Sequence, residues 1–254
     1  MKSPIIVVGI GEIGSVIARG FLRTAYPVYP VTRDMDMQDV AASIDEPEAV
    51  VIAVGESELN DILIKLPESW KTKLIIIQNE LLPKDWQQHN LEPTVISVWF
   101  EKKKGQDVKV VVPSPIFGEK ATILSDALTA LSIPTLIIPD EKEMTFELVR
   151  KNYYILTSNI AGLITGGTVG ELWENHQTFA KSVLKDIHAL QQSLTNNNFD
   201  HQALIEAMLV AFSADPDHGC MGRSAPSRLL RALDIAKKAN IPIPTLKNIQ
   251  VQLG

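Results

Sequence analysis

Cysteine is scarce in this sequence: Cys220 is the only one among 254 residues. One thiol excludes an internal disulfide and gives no cysteine framework for a structural metal. Positive charge is also in deficit, because 24 Lys and Arg face 30 Asp and Glu, for a net charge of -6. No segment concentrates the basic residues that a nucleic-acid surface needs, so we expect no nucleic-acid partner.

Long hydrophobic runs are missing as well. No stretch approaches the roughly 18 apolar residues of a membrane-spanning helix, so we expect no membrane partner. The chain opens on a strand-like segment without the apolar core of a signal peptide, and we expect a cytoplasmic protein. The motifs G-x-S-x-G and H-E-x-x-H do not occur, which argues against hydrolases and zincins. No spacing of His, Asp or Glu predicts a metal site.

Short apolar runs rich in Val and Ile dominate the first 139 residues. The predicted strands are residues 5–8, 28–32, 50–54, 74–77, 95–100, 108–112 and 136–138. Helix-like segments at 12–24, 57–65 and 119–131 separate several of them, and this alternation is typical of a parallel, doubly wound α/β sheet. The early strands are continuously apolar, which indicates strands buried on both faces.

After residue 139 the strand-like runs stop and helical periodicity continues to the C-terminus. The predicted helices are residues 140–164, 168–194, 202–212 and 226–239, and the first two begin with capping-box spacing. We therefore predict two domains, an α/β Rossmann-type domain over residues 1–139 and an all-helical domain over residues 140–254.

The turn between the first predicted strand and helix has the spacing G-x-G-x-x-G. It consists of Gly9, Ile10, Gly11, Glu12, Ile13 and Gly14. Glycine lets backbone N–H groups approach a phosphate closely, and the following helix adds the positive end of its dipole. The strand, the helix and the further strands make a dinucleotide site the favoured interpretation. The alternative is a strand-to-helix turn without a ligand.

The end of the second strand should discriminate between NAD and NADP. An acidic residue there accepts hydrogen bonds from the ribose of NAD, whereas an arginine pairs with the 2′-phosphate of NADP. The sequence has Arg33 followed by Asp34, so residue type alone leaves both cofactors open.

The residues quoted so far resemble those of the ketopantoate reductase family. The resemblance extends from "GIGEIG", Arg33 and "QN" at Gln78 and Asn79 to "LVRKNYYILTSN", which contains Lys151 and Asn159. It implies an NADPH-binding Rossmann domain, a helical domain and reduction of a 2-keto acid. It also implies Lys151 as the catalytic lysine, with Asn79 and Asn159 as hydrogen-bonding positioners and Asn79 also at the cofactor.

The chain departs from the family pattern at several positions. Gly55 and Glu56 stand where the family has a lysine, Ile155 replaces an asparagine, Glu80 replaces a glycine, and Arg228 lies near the place of a glutamate. An alternative is therefore an NADP(H)-binding sensor or degenerate paralogue without turnover. A third possibility keeps the scaffold but oxidises a different hydroxyl or amine substrate.

A second polar concentration, "DPDHGCMGRSAPSR", lies between two predicted helices of the second half. Arg223 and Arg228 are candidates to clamp a substrate carboxylate, with an interdomain salt bridge as the alternative. Ser224 is a candidate donor to the substrate, although capping of the following helix is the favoured role. The helical half also has apolar residues that a homodimer partner would cover, and core packing is the favoured use of these.

Overall fold

The structure is a computed structural model that describes residues 2–254. The chain divides into two compact units, one up to Glu147 and one over Leu148–Gly254. The strands are β1 (Ile5–Val8), β2 (Val28–Val31), β3 (Ala49–Ile52), β4 (Leu74–Ile77), β5 (Thr94–Ile96), β6 (Phe100–Glu101), β7 (Lys109–Val110), β8 (Ser114–Phe117) and β9 (Thr135–Ile137). The helices before the second unit are α1 (Glu12–Arg23), α2 (Met37–Ser43), α3 (Leu59–Ile64), α4 (Lys84–Gln87) and α5 (Ala121–Thr129).

The main sheet of the first unit has seven strands in the order β2-β1-β3-β4-β5-β8-β9. Its strands pair in parallel except at β5 and β8, which are antiparallel. Every residue of strands β1, β3 and β4 is buried, so both faces of the sheet are covered at these strands. The predicted α/β class with a doubly wound sheet is confirmed, and the sheet is mostly rather than entirely parallel.

One face of this sheet packs against α1 and α5. Ile5, Val7, Val51 and Ile75 contribute to that core, together with Phe21 of α1. The alternate residues of the same strands point to the opposite face and are buried there as well. Gly20 lets the two helices approach closely, because a Cβ at this position would lie 2.5 Å from the carbonyl oxygen of Ala127 in α5.

The second unit is all-helical, as predicted. Its helices are α6 (Glu141–Thr165, which begins in the first unit), α7 (Val169–Asn175), α8 (Gln177–Thr195), α9 (His201–Ala214), α10 (Ala225–Ala239) and α11 (Pro244–Leu253). The predicted capping at α6 and α7 is present, since the Asp140 carboxylate accepts from the N–H of Glu143, and Thr168 and Glu171 form a complete capping box. Gly166, at φ 61°, follows α6 directly.

A polar cluster joins three helices of the second unit. The hydroxyl of Tyr153, which is fully buried in α6, is within hydrogen-bonding distance of Nδ1 of both His188 and His201. The two imidazole rings lie with their centroids 4.5 Å apart. Burial lowers the pKa of both histidines, with the nearby Asp200 carboxylate opposing this shift.

Several sequence predictions of individual elements were wrong. The helix predicted at 168–194 is two helices, because the backbone leaves the helical region at His176. The strand predicted at 95–100 ends at Ile96, and Phe100 begins a separate two-stranded sheet of β6 and β7. Strand β8 was missed because Pro115 interrupts its apolar pattern. Helix α11 was also missed, although Pro244 at its first position is a signal for a helix start.

Candidate functional site

The glycine turn between β1 and α1 is built by close backbone contacts. Gly9 has φ +89°, and a Cβ there would lie 2.5 Å from the carbonyl oxygen of Ala53. A Cβ at Gly14 would lie 2.0 Å from the carbonyl oxygen of Gly9. Gly11 differs, because a Cβ there would meet no protein atom within 4 Å. The outer two glycines therefore shape the turn, whereas the middle one leaves open space beside the backbone.

This open space lies at the N-terminus of α1, a helix of 12 residues whose first turn presents backbone N–H groups. Gly11 is the N-cap, and no side-chain oxygen caps this end. A helix N-terminus with open backbone approach is the arrangement that accepts a phosphate. The turn thus fits the pyrophosphate of a dinucleotide. Ile10, Glu12 and Ile13 complete the predicted turn, and Ile13 is partly buried.

Glu12 introduces a negative charge into the first turn of α1. Its carboxylate lies 3.3 Å from the ammonium of Lys102, whose side chain is 19% exposed. Lys102 is mostly buried and pairs with the first turn of α1. The ion pair offsets the acidic charge that Glu12 places near the expected phosphate position.

The carboxyl ends of β1 to β4 lie at one edge of the sheet, since these strands are parallel. Arg33 follows β2 at this edge and is exposed, and Gln78 and Asn79 follow β4. Gln78 is buried and its side-chain amide donates to the carbonyl of Val54 after β3, which ties the two strand ends together. Asn79 is exposed. Ligands of open α/β sheets bind at this edge.

Arg33 is paired with a residue that sequence reasoning missed. Its Nη2 lies 2.9 Å from Oε1 of Glu58, the residue before α3. The other carboxylate oxygen of Glu58 accepts a hydrogen bond of 3.1 Å from the N–H of Gly55. The available signal was the loop between β3 and α3 that contains Glu58, because loops after parallel strands lie at the same edge of the sheet as Arg33.

Lys151 lies in the second unit, on the long helix α6. Its side chain is half-buried, and its ammonium is 5.3 Å from the centroid of the Tyr154 ring, a cation–π distance. The Tyr154 ring contacts Phe212 and His218, at centroid distances of 5.4 and 5.8 Å. Lys151 therefore stands beside an aromatic surface that restricts its conformations.

Asn159 is on the same helix, slightly more than two turns from Lys151, and is buried. Its carbonyl oxygen accepts a hydrogen bond of 2.8 Å from Nη1 of Arg228, a buried residue of α10. Its amide nitrogen donates to the hydroxyl of Ser158 at 3.3 Å. The structure thus brings Asn159 and Arg228 together.

The remaining predicted substrate residues precede α10. Arg223 is exposed and Ser224 is partly buried. Ser224 is the N-cap residue of α10, but its side chain makes no capping hydrogen bond. The favoured capping role was wrong, because Ser224 has helical dihedral angles (φ -87°, ψ -1°) and its hydroxyl does not reach the N–H groups of the first turn.

A backbone bridge ties the loop before α10 to the turn between α6 and α7. The N–H of Cys220 donates to the carbonyl of Gly167, and the N–H groups of Val169 and Gly170 donate to carbonyls of the loop, each at 2.9 Å. Gly162 permits this approach, since a Cβ there would lie 2.8 Å from backbone atoms of Cys220. Gly162 is therefore explained by the packing of the loop on α6.

Comparisons with known proteins agree with this architecture. The chain superposes on the crystal structure of a PanE/ApbA family ketopantoate reductase from Ralstonia eutropha JMP134 with a TM-score of 0.67, at 14% identity over 98% of this chain and 96% of that one. It has the ketopantoate reductase fold. The dimeric ketopantoate reductase from Staphylococcus aureus gives a TM-score of 0.63, at 16% identity over 98% and 97% of the two chains.

A dehydrogenase solved with NADH is also similar in fold. A ternary structure of D-mandelate dehydrogenase with NADH and anilino(oxo)acetate gives a TM-score of 0.65, at 12% identity over 96% of both chains. No family model matches the sequence, and no curated protein matches it either. The ketopantoate reductase fold was expected from the sequence resemblance, and this expectation is confirmed. Within residues 2–254, no helix is long and apolar enough to cross a membrane.

Proposed function

We propose that this protein is a divergent member of the ketopantoate reductase family and an NADPH-dependent oxidoreductase. It reduces a small carbonyl compound, a 2-keto acid, to the corresponding hydroxy acid. The observation that carries the proposal is the glycine turn, in which Gly9 and Gly14 fix the backbone and Gly11 leaves it open. Arg33 at the same edge of the sheet supports NADPH over NADH, because a guanidinium pairs with a 2′-phosphate.

The backbone N–H groups at the start of α1 bind the pyrophosphate, and Asn79 contributes a hydrogen bond to the cofactor. NADPH supplies the hydride when it is bound. Lys151 donates a hydrogen bond to the substrate carbonyl oxygen and then a proton to the alkoxide, a general acid step worth about 10²- to 10⁴-fold. The aromatic surface of Tyr154 holds the ammonium in place for this step.

Asn159 orients the substrate oxygen, and Arg228 fixes the rotamer of its carboxamide through the hydrogen bond to Oδ1. Arg223 and Arg228 provide positive charge for the carboxylate of a 2-keto acid, and Ser224 is a further donor to it. We propose the division at residues 139 and 140 as the functional one, with cofactor residues before it and substrate residues after it.

A screen of 2-keto acids for NADPH oxidation tests this function. We expect turnover with at least one of them and a loss of about 10²-fold or more in kcat for Lys151→Ala. Lys142→Ala is the matched control, because Lys142 is an exposed lysine of the same helix. Equal kcat values for wild type and Lys151→Ala would refute the role of Lys151.

The alternative is the NADP(H)-binding sensor without turnover. It is favoured by the carboxamide of Asn159, whose two polar atoms both have hydrogen-bond partners within the second unit. Tight NADPH binding in fluorescence titrations, combined with no turnover on the full panel, would select this function over the reductase.

We also propose a homodimer, since a ketopantoate reductase with this fold is described as dimeric. The apolar residues that a partner could cover are Leu163, Val169, Leu172 and Trp173. Val169 and Leu172 are buried within the second unit, whereas Leu163 and Trp173 are only partly buried and remain candidates for the dimer surface. Light scattering of the purified protein measures the molar mass directly, and a monomer of 28.0 kDa would contradict the proposal.

A further inference from the structure

The ion pair of Arg33 bears on how the protein discriminates between nucleotides. Arg33 is held at 2.9 Å by Glu58, and its side chain is 87% exposed, so the guanidinium is accessible but already engaged with a carboxylate. A 2′-phosphate that binds Arg33 approaches the same guanidinium. The carboxylate and the phosphate are both anions, and they compete for one cation.

Glu58 is fixed more firmly than an ordinary surface carboxylate. One of its oxygens accepts from the backbone N–H of Gly55, and the other binds Arg33. Gly55 also provides the room for this arrangement, because a Cβ there would lie 3.1 Å from Oε2 of Glu58. The carboxylate is therefore held in the loop after β3, next to the guanidinium of Arg33, which follows β2.

We propose that Glu58 is a specificity-determining residue that competes with the 2′-phosphate of NADPH for Arg33. This inference rests on the proposed nucleotide site and deepens it. Because of Glu58, the protein prefers NADPH over NADH less strongly than Arg33 alone would make it. Glu58 contacts Arg33 at this site, so we expect its removal to change NADPH binding selectively.

Titration of the intact protein with NADPH and with NADH, followed by nucleotide fluorescence, tests the proposal. Exposed ion pairs contribute little, so we expect Glu58→Gln to lower the Kd for NADPH by about two- to fivefold. The Kd for NADH should stay within about 1.5-fold. The gain should shrink at high salt, since exposed charges are screened.

Two further variants make the test specific. Glu68→Gln removes one carboxylate from a comparable surface pair with Lys71 and should change neither Kd. The double variant Arg33→Ala/Glu58→Gln should bind NADPH no better than Arg33→Ala alone, because the competition needs the guanidinium. 2′,5′-ADP and AMP, used separately as competitors of NADPH, repeat the comparison between a nucleotide with the 2′-phosphate and one without it. Neither competitor contains the nicotinamide.

The outcomes separate the inference from the function on which it rests. If wild type binds neither nucleotide, the proposed function fails. If wild type binds NADPH but Glu58→Gln leaves the ratio of the two Kd values unchanged, the inference alone is overturned. A gain from Glu58→Gln that persists without Arg33 also overturns it, because Glu58 would then act on the nucleotide by another route.

Discussion

Gly11→Ala separates nucleotide binding from folding at the glycine turn. The added Cβ meets no protein atom within 4 Å, and the backbone at φ -69° and ψ -166° is accessible to any residue. An alanine N-cap in place of glycine costs less than about 1 kcal/mol. For a chain of this length we therefore expect Tm to fall by less than about 4 °C.

The same Cβ occupies the space through which a pyrophosphate approaches the backbone. Inserting a methyl group into a close-packed contact costs about 1–3 kcal/mol, which corresponds to a rise in Kd of about 5- to 150-fold. Fluorescence titration with NADPH measures Kd, and thermal unfolding monitored by circular dichroism measures Tm. Each variant is analysed by both methods on the same preparation.

Two other glycines provide the comparison. Gly14→Ala places a Cβ 2.0 Å from a backbone oxygen, so it should lower Tm strongly and abolish binding. Gly219→Ala also adds a Cβ in open space, but in the second unit, and should change neither quantity. A folded Gly11→Ala protein that binds NADPH with unchanged affinity would refute the placement of the pyrophosphate at this turn.

Three further measurements probe the second unit. Asn159→Leu removes the acceptor of a buried guanidinium hydrogen bond from Arg228, so we expect a loss of about 1.5–3 kcal/mol in urea unfolding; unchanged stability would contradict the contact. Since burial lowers the folded-state pKa of His188 and His201, stability should decrease as pH falls below about 6.5, and His201→Gln should flatten that dependence of Tm. Burial raises the pKa of Cys220 to about 11, so iodoacetamide should alkylate it in urea but not in the native protein at neutral pH.

The parts of the fold that could be predicted are those in which local sequence and tertiary environment agree. Strands β1, β3 and β4 are buried on both faces, so their residues are apolar without interruption. Strand β8 could not be predicted, because Pro115 is tolerated there: its missing N–H is not needed, while its carbonyl accepts from Ser97. That compensation exists only in the folded sheet.

In the candidate site, too, some features could be predicted from the sequence and others could not. The glycine turn was predictable, since its chemistry lies within six consecutive residues. The pairing of Arg33 with Glu58 was not, because it joins the ends of β2 and β3, on either side of β1 in the sheet. The partnership of Asn159 and Arg228 likewise joins α6 to α10 and depends on helix packing. The residue types identified candidate site residues, but only the contacts in the folded structure show which of their polar groups are paired.

The bridged loop before α10 has a consequence for laboratory evolution of this protein. Its backbone is fixed to the α6–α7 turn at Gly167, and Gly162 leaves no space for it to shift. Insertions or deletions between Pro216 and Cys220 would break these contacts. Met221 and Arg223 are exposed beyond the bridge, so libraries that vary these two side chains at constant loop length should retain the scaffold.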